Sequence, residues 1–169
     1  MSKEFLKYAL MFVILVVAQV LVFNHLCLWG YAIPLVFIYF IIKLPVTLNL
    51  NWVITLSFLL GLSVDIFSNT PGMNALACTL LSVLRLPVMH LYYPRDEDMT
   101  NPEPSMRTLG VGTYLKYSLS VTFIYCLMFF LFESFTFYAW LPMIGRTFAS
   151  TAVTFLIILA IDSFQARRR

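Results

Sequence analysis

Few side chains in this sequence are placed to do chemistry, and they are scattered. Asp65 stands in the stretch GLSVDIFSNTPGMNAL, a carboxylate with apolar runs on both sides and a Pro71-Gly72 turn just after it. His25 and His90 have no second ligand near them. Cys27, Cys78 and Cys126 are odd in number and lack metal-site spacing, so Cys78 and Cys126 read as small apolar fillers. There is no HExxH, no GxSxG and no glycine-rich phosphate loop. Nothing here supports catalysis, and no cofactor or metal ion is expected. The charges that matter are those forced into apolar surroundings, and the elements around them must explain why they are tolerated.

Those elements are dictated by composition. Of 169 residues, 61% are hydrophobic and 11% charged, with a mean hydropathy of +0.88. A soluble domain is nearer half apolar and a quarter charged, so the medium is a bilayer. Inside hydrocarbon every backbone polar group must pair within the protein, which leaves helices or a closed barrel. The apolar runs are continuous rather than alternating, so helices are expected. Six segments stand out, at 5–23, 31–43, 52–67, 72–90, 113–138 and 143–164. Segments two and three are short against the roughly 20 residues of a flat span.

Charge decides the count. With six crossings and a cytoplasmic N-terminus, Lys3, Lys7, Lys43, Arg85, Arg95, Arg107, Lys116 and Arg167 to Arg169 lie inside, and only Arg146 lies outside. Merging segments two and three would move Arg85, Arg95, Arg107 and Lys116 outside. The expected fold is therefore an all-α polytopic membrane protein, a single integral membrane domain over 1–169 with six transmembrane helices and both termini cytoplasmic. The net charge of +3 needs no nucleic acid. The terminal arginines serve as a topology anchor at anionic membrane lipids. The basic start and apolar run of segment one resemble a signal peptide, but VFNHLCLWG lacks a small-x-small cleavage pattern, so the segment is read as an anchor.

One stretch has soluble composition, 94–112, PRDEDMTNPEPSMRTLGVG. It lies in a cytoplasmic loop over 91–112, read as a solvated linker without regular structure, with partner docking as the other reading. The outer loops at 24–30, 68–71 and 139–142 are a few residues each. Trp29, Trp52, Tyr92, Tyr93 and Trp140 fall near span ends, as interfacial aromatics do.

Against this frame Asp65 gains context. Steps of four lead back from it to Gly61 and Ser57, and forward from the turn run Asn74, Cys78 and Ser82, with Arg85 beyond. Each segment thus carries a small or polar stripe on one helical face. The pairs 65/74, 61/78 and 57/82 are equidistant from the turn, so an antiparallel hairpin sets each pair at similar depth. Small residues let helix backbones approach and polar ones bond across. Asp65 lies roughly 20 Å beyond Trp52, in the outer half of a core about 30 Å thick. A carboxylate ahead of the positive N-terminus of segment four is locally favourable, and this structural role outweighs a direct functional one. Glu133 and Arg146 are the other outer-half charges, and Arg146 has Asp65 or Glu133 as candidate partner. Asp162 falls at the opposite end from Asp65, so an aspartyl dyad is not expected.

The arrangement resembles the MreD family of rod-shape-determining membrane proteins. The resemblance rests on chain length, span layout, Pro34 early in segment two, and a Gly-Leu-x-x-Asp ending one helix before a Gly and an Ala-Leu opening the next. Gly61, Leu62, Asp65, Gly72, Ala75 and Leu76 occupy those positions, within about sixteen specific residues. It implies a fold similar to the substrate-binding subunits of energy-coupling-factor transporters. It also implies a non-enzymatic scaffold of the cell-elongation complex in the bacterial inner membrane, supporting peptidoglycan synthesis. The implied partners are a single-span MreC-type protein, the MreB filament, RodA and a penicillin-binding transpeptidase. The rival reading is a vitamin-type transporter subunit. Against it, segment one has no Ala-x-x-x-Ala, Ala9 being followed by Val13, and the outer loops are too short for an obvious lid. A generic membrane-assembly factor is a third reading.

Overall fold

The computed structural model describes residues 2–23, 33–70, 72–92, 103–106, 108–133 and 140–168, and every regular element among them is helical. Helix α1 spans Ser2–Ala18 and runs on as a π-helical turn, Gln19–Phe23. A 3₁₀ turn, Val36–Ile38, leads into the five-residue α2, Tyr39–Lys43. The long helices α3 (Leu50–Ser68), α4 (Met73–Tyr92), α5 (Val111–Glu133) and α6 (Trp140–Arg168) follow. Among the described residues five helices are long and apolar enough to cross a membrane: α1 with its π turn, α3, α4, α5 and α6. The chain is a multi-pass membrane protein.

Segment two differs from expectation. Instead of a helix over 31–43, its described part is irregular at 33–35 and helical only from Val36. Irregular backbone survives at membrane depth only where protein surrounds it and supplies its hydrogen bonds. Both conditions hold: Leu35 to Ile42 are each no more than 3% exposed. Gln19 is itself buried and donates through Nε2 to the Pro34 carbonyl (3.0 Å), while its Oε1 accepts from Val36 N–H (2.9 Å). Ile33 N–H donates to Ser150 Oγ and Leu35 N–H to Thr154 Oγ1, both at 3.0 Å. Segment two is short because it is a broken element held in the core by side chains of α1 and α6.

The remaining helices wrap this centre. Helix α3 packs on α4, α4 on α5 and α5 on α6, while α1 lies against α3 and the central segment. The core is aromatic in places, with Phe37 edge-on to Tyr125 at 5.7 Å between centroids and Phe12 edge-on to Phe40 at 5.6 Å. Outward faces carry Leu10, Val17, Leu59, Ile66, Leu80 and Phe148, all exposed, as suits helices solvated by lipid.

The loop read as a solvated linker is tethered where it is described. Glu103 forms an ion pair with Lys7 and accepts from Tyr8 Oη at 2.6 Å, and the Pro104 carbonyl accepts from Lys43 Nζ at 3.2 Å. Helix α5 begins at Val111 rather than 113, with Gly110 at φ +78° immediately before it. All of 94–102 lies outside the described residues, as do Arg107, His25, Cys27, Trp29 and Tyr93.

Candidate functional site: a charged staple in the helical hairpin

Asp65 lies three residues before the end of α3 and works in two directions. Its backbone carbonyl accepts from Asn69 and Thr70 N–H, closing the helix, and Asn69 takes the left-handed conformation at φ 54°. Its carboxylate opens the next helix. Oδ1 accepts from Asn74 N–H (3.1 Å), Asn74 Nδ2 (2.9 Å) and Thr70 Oγ1 (2.6 Å), and Oδ2 accepts from Ala75 N–H (2.8 Å). The first N–H groups of a helix have no partner within it. Here they are satisfied as an N-cap would satisfy them, by a carboxylate from the preceding helix, with the helix dipole favouring the charge. Asn74 in turn accepts from Tyr125 Oη of α5 at 2.7 Å, so the staple ties three helices.

This bonding requires the two helices to touch. A Cβ on Gly61 would stand 2.5 Å from the Asn74 carbonyl oxygen and 2.6 Å from Ala75 Cα. The opposing atoms are backbone and cannot swing aside, so the site demands glycine. Gly72, at φ +75°, makes the turn into α4. Pro71 lies outside the described residues.

The described hydrogen bonds between the two stripes lie at the turn. Asp65 bonds Asn74 as depth matching implies. A Cβ on Gly61 would meet Asn74 and Ala75 first, and no described hydrogen bond joins Ser57 to Ser82. Ser82 Oγ donates to Thr79 O in its own helix at 2.6 Å, and Ser57 Oγ has no partner among the described residues. Cys78 is a buried free thiol.

Charges elsewhere are also matched. Of Arg146's two candidate partners the structure supplies Glu133, at 3.2 Å. Asp162 lies far down α6 in an ion pair with Lys43, where it also accepts from Tyr39 Oη at 3.0 Å. Arg85, 1% exposed, donates through Nη1 to Ile41 O (3.0 Å) and through Nη2 to Leu44 O and Pro45 O (2.5 and 3.1 Å). It caps the C-terminal end of α2. The sequence placed Arg85 as an inside charge just beyond the Asn74, Cys78 and Ser82 stripe, without its carbonyl partners, and gave no role to Gln19, Ser150 and Thr154. Their signals were a lone amide in α1's apolar run and the row Thr147, Ser150, Thr151, Thr154 along one face of α6.

Among the described residues no three of His, Cys, Asp and Glu come together as metal ligands would. What the arrangement does is fix geometry: buried charges hold helix ends. Compared with protein-family models, with curated proteins and with solved structures, the chain has no significant match.

Proposed function

We propose that this chain is a non-enzymatic scaffold of the MreD type, acting in the bacterial cell-elongation complex and binding an MreC-type single-span partner in the inner membrane. One observation carries the reading. The residues of the Gly-Leu-x-x-Asp and Gly-x-x-Ala pattern converge on a single point, where Gly61 admits α4, Asp65 caps it at Ala75 and Gly72 turns into it. Such a rigid hairpin, with Ile66, Phe67, Leu76 and Leu80 exposed along its outside, suits the gripping of a partner helix. In this reading the chain crosses six times, the 33–43 segment completing the count, with both termini cytoplasmic. The meeting of Lys7, Glu103, Lys43 and Asp162 at one end supports that topology.

Co-purification tests it. Co-expressed with an MreC-type protein and extracted in mild detergent, the chain is expected to carry the partner through affinity purification. Gly61→Leu is expected to lose it while Glu133→Gln keeps it. Failure of the unmodified chain to retain the partner overturns the scaffold reading, and a vitamin-sized molecule in the native mass spectrum favours a transporter subunit instead.

A further inference from the structure

Helix α1 is the least embedded of the five long helices. Its apolar stretch, Leu6–Phe23, is 11% buried, against 28–44% in the others. A groove of about 410 Å³ runs beside it, lined by Leu10, Ile14 and Ala18 on one side and by Val36, Tyr39 and Ile161 on the other. Polar contacts hold the helix near its two ends. At one, the Gln19 amide binds Pro34 O and Val36 N–H. At the other, Lys7 and Tyr8 bind the Glu103 carboxylate. We propose that α1 is a latched gate, which pivots at Gln19 and is held closed over the groove by Glu103.

Medium and burial make the two ends unequal. Lipid tails are as apolar as leucine, so the apolar packing of α1, such as Phe12 against Phe40, has no hydrophobic advantage over packing against lipid. Polar contacts therefore decide where the helix stands. Gln19 is 0% exposed, and withdrawing its amide would strand two backbone groups of the broken segment at membrane depth. The side chains of Lys7 and Glu103 are 38% and 24% exposed, and an ion pair so accessible is weak because water competes for both charges. The Lys7 end is therefore the one that lets go. The regular α-helix also stops at the pivot, in the π turn Gln19–Phe23, and such turns recur at functional sites within helices. From Gln19 to Lys7 the arm is about 18 Å long, so a tilt of about 20° carries Lys7 about 6 Å. Glu103 lies in the segment that joins α4 to α5, and its neighbour Pro104 accepts from Lys43. Displacing that segment frees the arm and uncovers Tyr39 and Lys43 on the inner wall of the groove.

Pulsed electron paramagnetic resonance on the full chain in lipid nanodiscs tests the gate, with genetically encoded spin-labelled residues at exposed positions. One pair, replacing Leu6 and Phe164, spans the Lys7 end; a second, replacing Leu21 and Phe67, spans the Gln19 end. The otherwise unmodified chain is expected to give one dominant distance for each pair. Glu103→Ala is expected to raise the population of a longer distance in the first pair about tenfold, the combined effect of losing a weak ion pair and a hydrogen bond. The second pair should not change. Lys7→Gln and Tyr8→Phe each remove half of the latch and should shift the first pair about threefold, and they decide the matter if Glu103→Ala misfolds. Gel filtration confirms that each variant is folded. A first pair that stays put in the folded variants overturns the gate. So does equal broadening of both pairs, which signals a general loosening rather than a pivot. None of these readouts involves an MreC-type partner, so the gate and the scaffold reading stand or fall separately.

Discussion

Asp65 and Arg85 are opposite charges on neighbouring helices, both buried in apolar surroundings, and neither forms an ion pair among the described residues. Asp65 takes the N–H groups that begin α4, whereas Arg85 takes the carbonyls around the end of α2. A buried charge usually costs more to desolvate than a single counter-charge repays. A helix end offers several fixed dipoles at once, already pointing the right way. The two sites differ in what they hold. The Asp65 site joins two full-length helices that would pack against each other anyway, while Arg85 holds a helix of five residues that is too short to persist alone. The same device serves as a refinement in one place and a necessity in the other.

That contrast predicts unequal damage. Arg85→Leu leaves three carbonyls without their donor and should destabilise the fold by about 3 kcal/mol or more, since each buried group left unsatisfied costs about 1–3 kcal/mol. It should register as the larger drop in thermal midpoint in detergent. Asp65→Asn keeps the shape and most acceptors but turns an amide toward one of the helix N–H groups, so about 1–3 kcal/mol is expected. If Asp65→Asn proves the more damaging, the ranking of the two sites is wrong. Tyr125→Phe removes one donor to Asn74 and should cost about 1 kcal/mol. Tested together with Asp65→Asn in a double-mutant cycle, it should prove non-additive, because both act through Asn74. Strict additivity would show the staple to be two separate contacts.

The sequence made the Asp65 site legible because every part of it is local. The carboxylate, the turn and Asn74 lie within ten residues, and depth in an antiparallel hairpin follows from counting. The Glu133–Arg146 pair was visible as the outer-half charges on consecutive segments. The centre was not legible in the same way. A helix over 31–43 was the natural reading of an apolar run, since hydropathy reports burial and says nothing of whether the backbone bonds itself. Broken backbone shows only through its distant partners, Gln19, Ser150 and Thr154. The azimuth that brings them to Ile33, Leu35 and Val36 is a property of the assembled bundle. For the same reason Ser57 and Ser82, matched in depth, form no hydrogen bond with each other, because depth does not fix the azimuth of a side chain.

The broken central segment also bears on how the chain is made. Its N–H groups at Ile33 and Leu35 find their acceptors 117 and 119 residues downstream, on α6. While the ribosome is still producing α3 to α5, those groups have entered or approached the bilayer without their final partners, a costly condition in hydrocarbon. The segment therefore reaches its settled position only after α6 has been synthesised and inserted.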